Sequence, residues 1–103
     1  MGENELVKVV KSSSPGHKLD VVFRNKKTGK ESRTPFGKSG MSDYTKHKDK
    51  ERRKRYRIRH KKDLKTNDPT RAGYLSYYIL WGESTSLRDN IAAYKRRFFP
   101  GSS

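Results

Sequence analysis

Residues 68–81, Asp68-Pro69-Thr70-Arg71-Ala72-Gly73-Tyr74-Leu75-Ser76-Tyr77-Tyr78-Ile79-Leu80-Trp81, are the one strongly apolar stretch in a chain that is otherwise charged. Asp68 reads as an N-cap, Pro69 as the first helical residue and Gly82 as a left-handed residue closing the helix. The apolar positions run around the whole circumference, so every face of such a helix needs cover. Fourteen residues are too few to span a bilayer, which takes about 20. The stretch therefore predicts a buried central helix. A strand over Tyr77–Trp81 is the competing reading, because a short apolar run carries no decisive period.

Around it the chain has little apolar material. Of 103 residues, 29% are hydrophobic and 36% charged, so one small domain with a modest core is expected. The net charge of +15 points to an acidic partner: nucleic acid, an anionic internal membrane surface or an acidic protein. The absence of cysteine excludes disulfides, thiolate zinc sites and thiol catalysis. Leu6–Val10 is short and interrupted by Lys8, so it does not read as a signal peptide. Gly101-Ser102-Ser103 reads as a tail outside the fold, natural or left by cloning.

Four segments follow from the patterning. Residues 1–35 carry β-type runs at Leu6–Val10 and Leu19–Phe23, separated by Ser12-Ser13-Ser14-Pro15-Gly16. A turn over Asn25–Lys30 with Gly29 near its tip leads to a polar third strand, Glu31–Pro35, expected to be a solvated edge stopped by Pro35. Residues 36–67 hold 13 basic and 4 acidic side chains. Phe36-Gly37-Lys38-Ser39-Gly40 reads as a loop. It shares composition with a phosphate-binding loop but lacks that motif's leading glycine.

Asp49 then caps a basic helix expected over Lys50–Lys62, with Tyr56, Ile58 and Leu64 as its apolar anchors. Residues 68–99 form a helical hairpin core, and 100–103 a tail. Ser86 with Asp89 resembles a capping box, and Leu87, Ile91, Tyr94 and Phe98 form the stripe of an amphipathic helix over 87–98. The expected core is Tyr74, Leu75, Tyr78, Ile79, Trp81, Leu87, Ile91, Tyr94 and Phe98. The fold class is α+β: an N-terminal antiparallel β-hairpin or meander, then a basic helix, a buried central helix and a C-terminal amphipathic helix.

The candidate functional surface is the cation run Lys46, Lys48, Lys50, Arg52, Arg53, Lys54, Arg55, Arg57, Arg59, Lys61 and Lys62. Charge this dense repels itself, which favours an anion-binding role over simple solvation. His17, His47 and His60 fall on different elements without carboxylates at ligand spacing, so no metal site is expected. No nucleophile elbow or paired carboxylates are evident, so neither enzyme activity, nor a cofactor, nor a small-molecule substrate is expected.

The order of Phe36-Gly37, Ser42–Asp49, Arg53…Tyr56…Arg59-His60-Lys61-Lys62, Asp68–Tyr74, Ile79-Leu80-Trp81 and Leu87–Phe98 resembles a family of small basic proteins of unassigned function. That family is encoded by nucleocytoplasmic large DNA viruses and some algae. The resemblance implies a viral source and a place in the particle, assembled in the host cytoplasm or nucleus, and it brings no activity. The resulting expectation is a non-enzymatic minor capsid or cement protein bridging acidic surfaces of larger capsid proteins. The alternative is a protein that condenses or packages the genome.

Overall fold

A computed structural model describes residues 4–100; the Gly101–Ser103 tail lies outside them. The order is β1 (Asn4–Lys11), β2 (His17–Asn25), β3 (Glu31–Lys38), α1 (Tyr44–His47), α2 (Lys50–His60), a 3₁₀ turn (Lys61–Thr66), α3 (Ala72–Leu75) running into a π-helix (Ser76–Leu80), and α4 (Leu87–Phe98). This is the expected α+β arrangement, with a three-stranded antiparallel meander in the order β1-β2-β3.

One face of the sheet meets the helices. Leu19, Val21 and Phe23 alternate along β2, and Phe36 stands opposite Leu19 in register. On β1, Leu6 and Val9 both reach this core although they are three residues apart. A bulge between Leu6 and Lys8 shifts the register and makes this possible. Glu5 and Arg24 pair in register and form a cross-strand ion pair.

Pro35 does not end the third strand, which continues to Lys38 and buries Phe36 completely. β3 is an edge strand, where a residue without an N–H is tolerated. Its first half is polar and exposed as expected; its second half belongs to the core, and Phe36, Gly37 and Lys38 are strand residues, not loop.

The central stretch is buried on most of its circumference, with Tyr74, Leu75, Tyr77, Ile79, Leu80 and Trp81 all inside. Its ends differ from expectation. Asp68 does not cap the helix. Its carboxylate accepts the Thr70 N–H (3.0 Å) and hydroxyl (2.6 Å), closing a local turn. The Pro69 carbonyl accepts the Tyr94 hydroxyl at 2.5 Å, which ties that turn to α4. The helix therefore starts only at Ala72, with Arg71 at the cap position and no side-chain bond there.

Gly82 is not left-handed either. A Cβ on it would lie 2.2 Å from the Tyr78 carbonyl oxygen, so glycine is needed for close approach. Between these ends the helix widens into a π-turn, with the Trp81 N–H donating to the Ser76 carbonyl at 3.0 Å.

α4 matches its expected span, with Ser86 accepting the Asp89 N–H. Tyr94 is buried, while Leu87, Ile91 and Phe98 pack at the core margin together with Tyr78. The residue past the helix, Phe99, is buried and packs its ring against Phe23 at 5.2 Å, tilted by 42°, joining α4 to the sheet.

Candidate anion-binding surface and cleft

α2 begins as expected. The Asp49 carboxylate accepts the Glu51 and Arg52 N–H groups at 3.0 and 3.3 Å, and these bonds hold its pKa below the usual carboxylate value. The helix ends at His60, and Lys61 and Lys62 belong to the 3₁₀ turn that follows. None of its residues is buried. Ile58, expected as an anchor, is 68% exposed. Tyr56 fastens the helix instead. Its ring lies between Trp81 (4.2 Å, 7° between planes) and His60 (4.1 Å), and the His47 ring approaches the same indole at 5.1 Å.

Eight of the eleven cations of the expected run fall into three sets, leaving Lys46, Lys48 and Lys62 outside them. Arg53 and Arg57 turn inward. Arg53 Nε donates to the Gly82 carbonyl at 2.6 Å. One Arg57 nitrogen donates to the carbonyls of Trp81 (2.7 Å) and Tyr77 (3.0 Å), and its guanidinium lies 4.0 Å from the Tyr77 ring centroid. These two arginines satisfy carbonyls around the end of the π-helix, so they serve the fold, and both are partly buried where they line the groove beside Ile58.

Asn90 completes this anchoring. It is 4% exposed. Its amide donates to the Ile79 and Ser84 carbonyls (2.9 and 2.8 Å) and accepts the Ser84 N–H at 3.0 Å. No local pattern marks Asn90, because an asparagine beside an amphipathic stripe reads as a solvent position.

Arg52, Arg55 and Arg59, at i, i+3 and i+7, overlook a cleft of about 430 Å³. Its opposite wall comes from Lys18 on β2, Lys38 at the end of β3, and Met41, Ser42 and Asp43 in the following turn; Ser76 and Leu80 of the π-helix and Trp81 just past it also line it. Asp43, 2% exposed, caps α1 by accepting the Thr45 N–H at 2.9 Å, and it is bridged by Lys18 Nζ at 2.6 Å. Gly37 lets the sheet approach closely: a Cβ there would lie 2.7 Å from Leu80 Cδ1, and its φ of 78° is unfavourable to other residues.

The third set, Lys50, Lys54 and Lys61, surrounds Ile58 on the outer side and borders an open groove that also includes Tyr44 and Tyr77. Lys46, Lys48, Lys50, Arg52, Lys54, Arg55, Arg59, Lys61 and Lys62 are all exposed, and none forms a salt bridge among the described residues.

His47 is half-buried. Its Nδ1 accepts the Asp49 N–H at 2.9 Å and its Nε2 is buried without a hydrogen-bond partner. His60 Nδ1 lies 3.1 Å from the Asp63 carboxylate. Among the described residues, no group of three or more histidines and carboxylates is placed to hold a metal ion. No helix among them is long and apolar enough to cross a membrane.

Sheet, clamped π-helix and cation face together define a small basic α+β protein with an arginine-lined cleft. Residues 7–60 match a family of unknown function (DUF5754), and the chain belongs to that family. The match spans most of β1 and all of β2, β3, α1 and α2, so it includes the cation run as far as Arg59 but not Lys61, Lys62 or the π-helix. No curated protein and no solved structure matches the chain.

Proposed function

We propose that this is a non-enzymatic structural protein of a large DNA virus particle, a minor capsid component that bridges acidic surfaces of larger capsid proteins through the outer face of α2. The observation that carries the reading is Ile58. It is a large aliphatic side chain, 68% exposed, in a groove lined by Lys50, Lys54, Lys61, Arg53 and Arg57 against two carboxylates, Glu51 and Glu83. An apolar centre with a charged rim is the anatomy of a protein interface. A phosphate backbone is bound by charge and gains nothing from an exposed isoleucine. The order of motifs from Phe36 to Phe98 supports the viral setting.

The alternative, a protein that condenses or packages the genome, is supported by the unpaired cations of the same helix. It would rest mainly on phosphate contacts, since both faces of Tyr56, the one tyrosine on α2, are occupied by Trp81 and His60. Quantitative mass spectrometry of purified particles tests the leading reading. Copy numbers in fixed ratio to the major capsid protein are expected. Recovery with the genome after the shell is removed favours packaging, and recovery only from infected nuclei overturns both.

A further inference from the structure

We infer that the cleft under Arg52, Arg55 and Arg59 is a binding site for a nucleotide carrying two or more phosphates. This goes beyond the docking role, which uses the outer face of α2 and does not depend on the cleft. The sequence contains no phosphate-loop motif; the site exists only because the end of β3, the following turn and one face of α2 meet around the π-helix.

Charge comes first. Lys38, Arg52, Arg55 and Arg59 line the cleft and none forms a salt bridge among the described residues. The one carboxylate lining it, Asp43, is already bridged by Lys18 and engaged as the α1 cap. A concave surface with this excess of one sign focuses its field on an anion of opposite charge. Arginine forks suit the bidentate geometry of phosphate oxygens. Four cations exceed what a single carboxylate or monophosphate balances, and match a di- or triphosphate.

Shape and polarity supply the rest. The cleft, about 430 Å³, lies within the roughly 300–1,000 Å³ of small-molecule sites and is too small for a duplex. Its apolar lining is Tyr56, Leu80 and Trp81, the last two only 4% and 9% exposed, and Met41, 58% exposed. A flat base would cover these groups, with Ser42 and Ser76 on two of the walls. Inorganic polyphosphate would leave the apolar lining wet.

Trp81 is the only tryptophan in the chain, so its fluorescence reports on the cleft. The full chain is titrated at about 150 mM salt with a nucleoside triphosphate, with inorganic triphosphate and with the nucleoside alone. Two double variants are compared: Arg52→Gln with Arg55→Gln in the cleft, and Lys50→Gln with Lys54→Gln on the outer face. They remove equal charge, and melting curves confirm that both fold.

Saturable binding of the nucleotide is expected with a midpoint below about 0.1 mM. Inorganic triphosphate should bind about tenfold more weakly, and the nucleoside should not bind measurably. The cleft variant should lose at least about tenfold in affinity, and the outer variant less than about twofold. Equal loss in both variants means diffuse attraction to a basic surface and overturns the site. Equal affinity for inorganic triphosphate overturns the nucleotide assignment, as does the absence of saturation.

Discussion

Trp81 and Tyr56 lie face to face, 4.2 Å apart and 7° from parallel, and this contact joins the basic helix to the apolar core. Trp81 is 9% exposed and belongs to the core cluster, so its removal empties a packed site and detaches α2 together. Trp81→Ala should cost about 3–5 kcal/mol. In a domain of this size that lowers Tm by more than about 10 °C. A melting curve within a degree or two of the parent would refute the role given to this contact.

Arg57 makes a separate prediction, because its guanidinium serves two carbonyls that no other side chain reaches. Arg57→Ala should destabilise by about 1.5–3 kcal/mol. Arg57→Lys should recover only part of this, since an ammonium lacks the fork and stacks poorly on Tyr77. Lys54→Ala, three positions away on the exposed side, should stay within about 0.5 kcal/mol of the parent. Urea titrations of the three variants measure the contrast.

His47 makes stability fall on mild acidification. Burial, first, and then the Arg52 charge push its pKa below the ordinary 6.5; Asp49 and Asp43 oppose this, and Lys18 adds slightly to it. The geometry agrees. A neutral ring accepts the Asp49 N–H on Nδ1, and protonation there breaks that bond at the start of α2. The folded state thus binds the proton less well than the unfolded chain. Stability from this group is complete above about pH 6.5 and declines as pH falls through the lower folded value. His47→Gln, whose amide oxygen also accepts, should flatten the slope of stability between about pH 7.5 and 5. An unchanged slope would show that another group carries it.

The outer face of α2 predicts a divided response to two changes. Ile58→Asp should leave the melting temperature nearly unchanged, since the side chain is exposed, yet abolish incorporation into particles. Duplex DNA titrated at about 150 mM salt should bind only at the 10⁻⁴–10⁻⁶ M typical of basic proteins. Its log–log salt slope should be near −0.9 per phosphate contacted. Sub-micromolar affinity that Arg52→Glu, Arg55→Glu and Arg59→Glu together remove would place genome packaging ahead of capsid bridging.

Much of this architecture is legible in the amino-acid order, for identifiable reasons. The β-branched runs, the Asp49 and Ser86 caps and the α4 stripe are local signals, and each element forms where its signal lies. What escaped depends on partners distant in sequence. Pro35 reads as a stop until the strand is known to be an edge. Asp68 reads as a cap until Thr70 competes for its carboxylate. The cation run looks uniform, and only the carbonyls freed around the π-helix show that Arg53 and Arg57 differ from Arg52 and Arg55. The cleft is less legible still, because Lys38, Met41 and Arg59 share no local pattern.

An α2 without a single buried residue is held by one ring stack and two arginine-to-carbonyl anchors, not by apolar burial. Such an element opens at lower free energy than the body it rests on. Backbone amides of Lys50–His60 should therefore exchange with deuterium well before those of Val21–Phe23. The basic segment then behaves as a latch that can loosen while the sheet and α4 stay closed, so local opening of α2 precedes global unfolding.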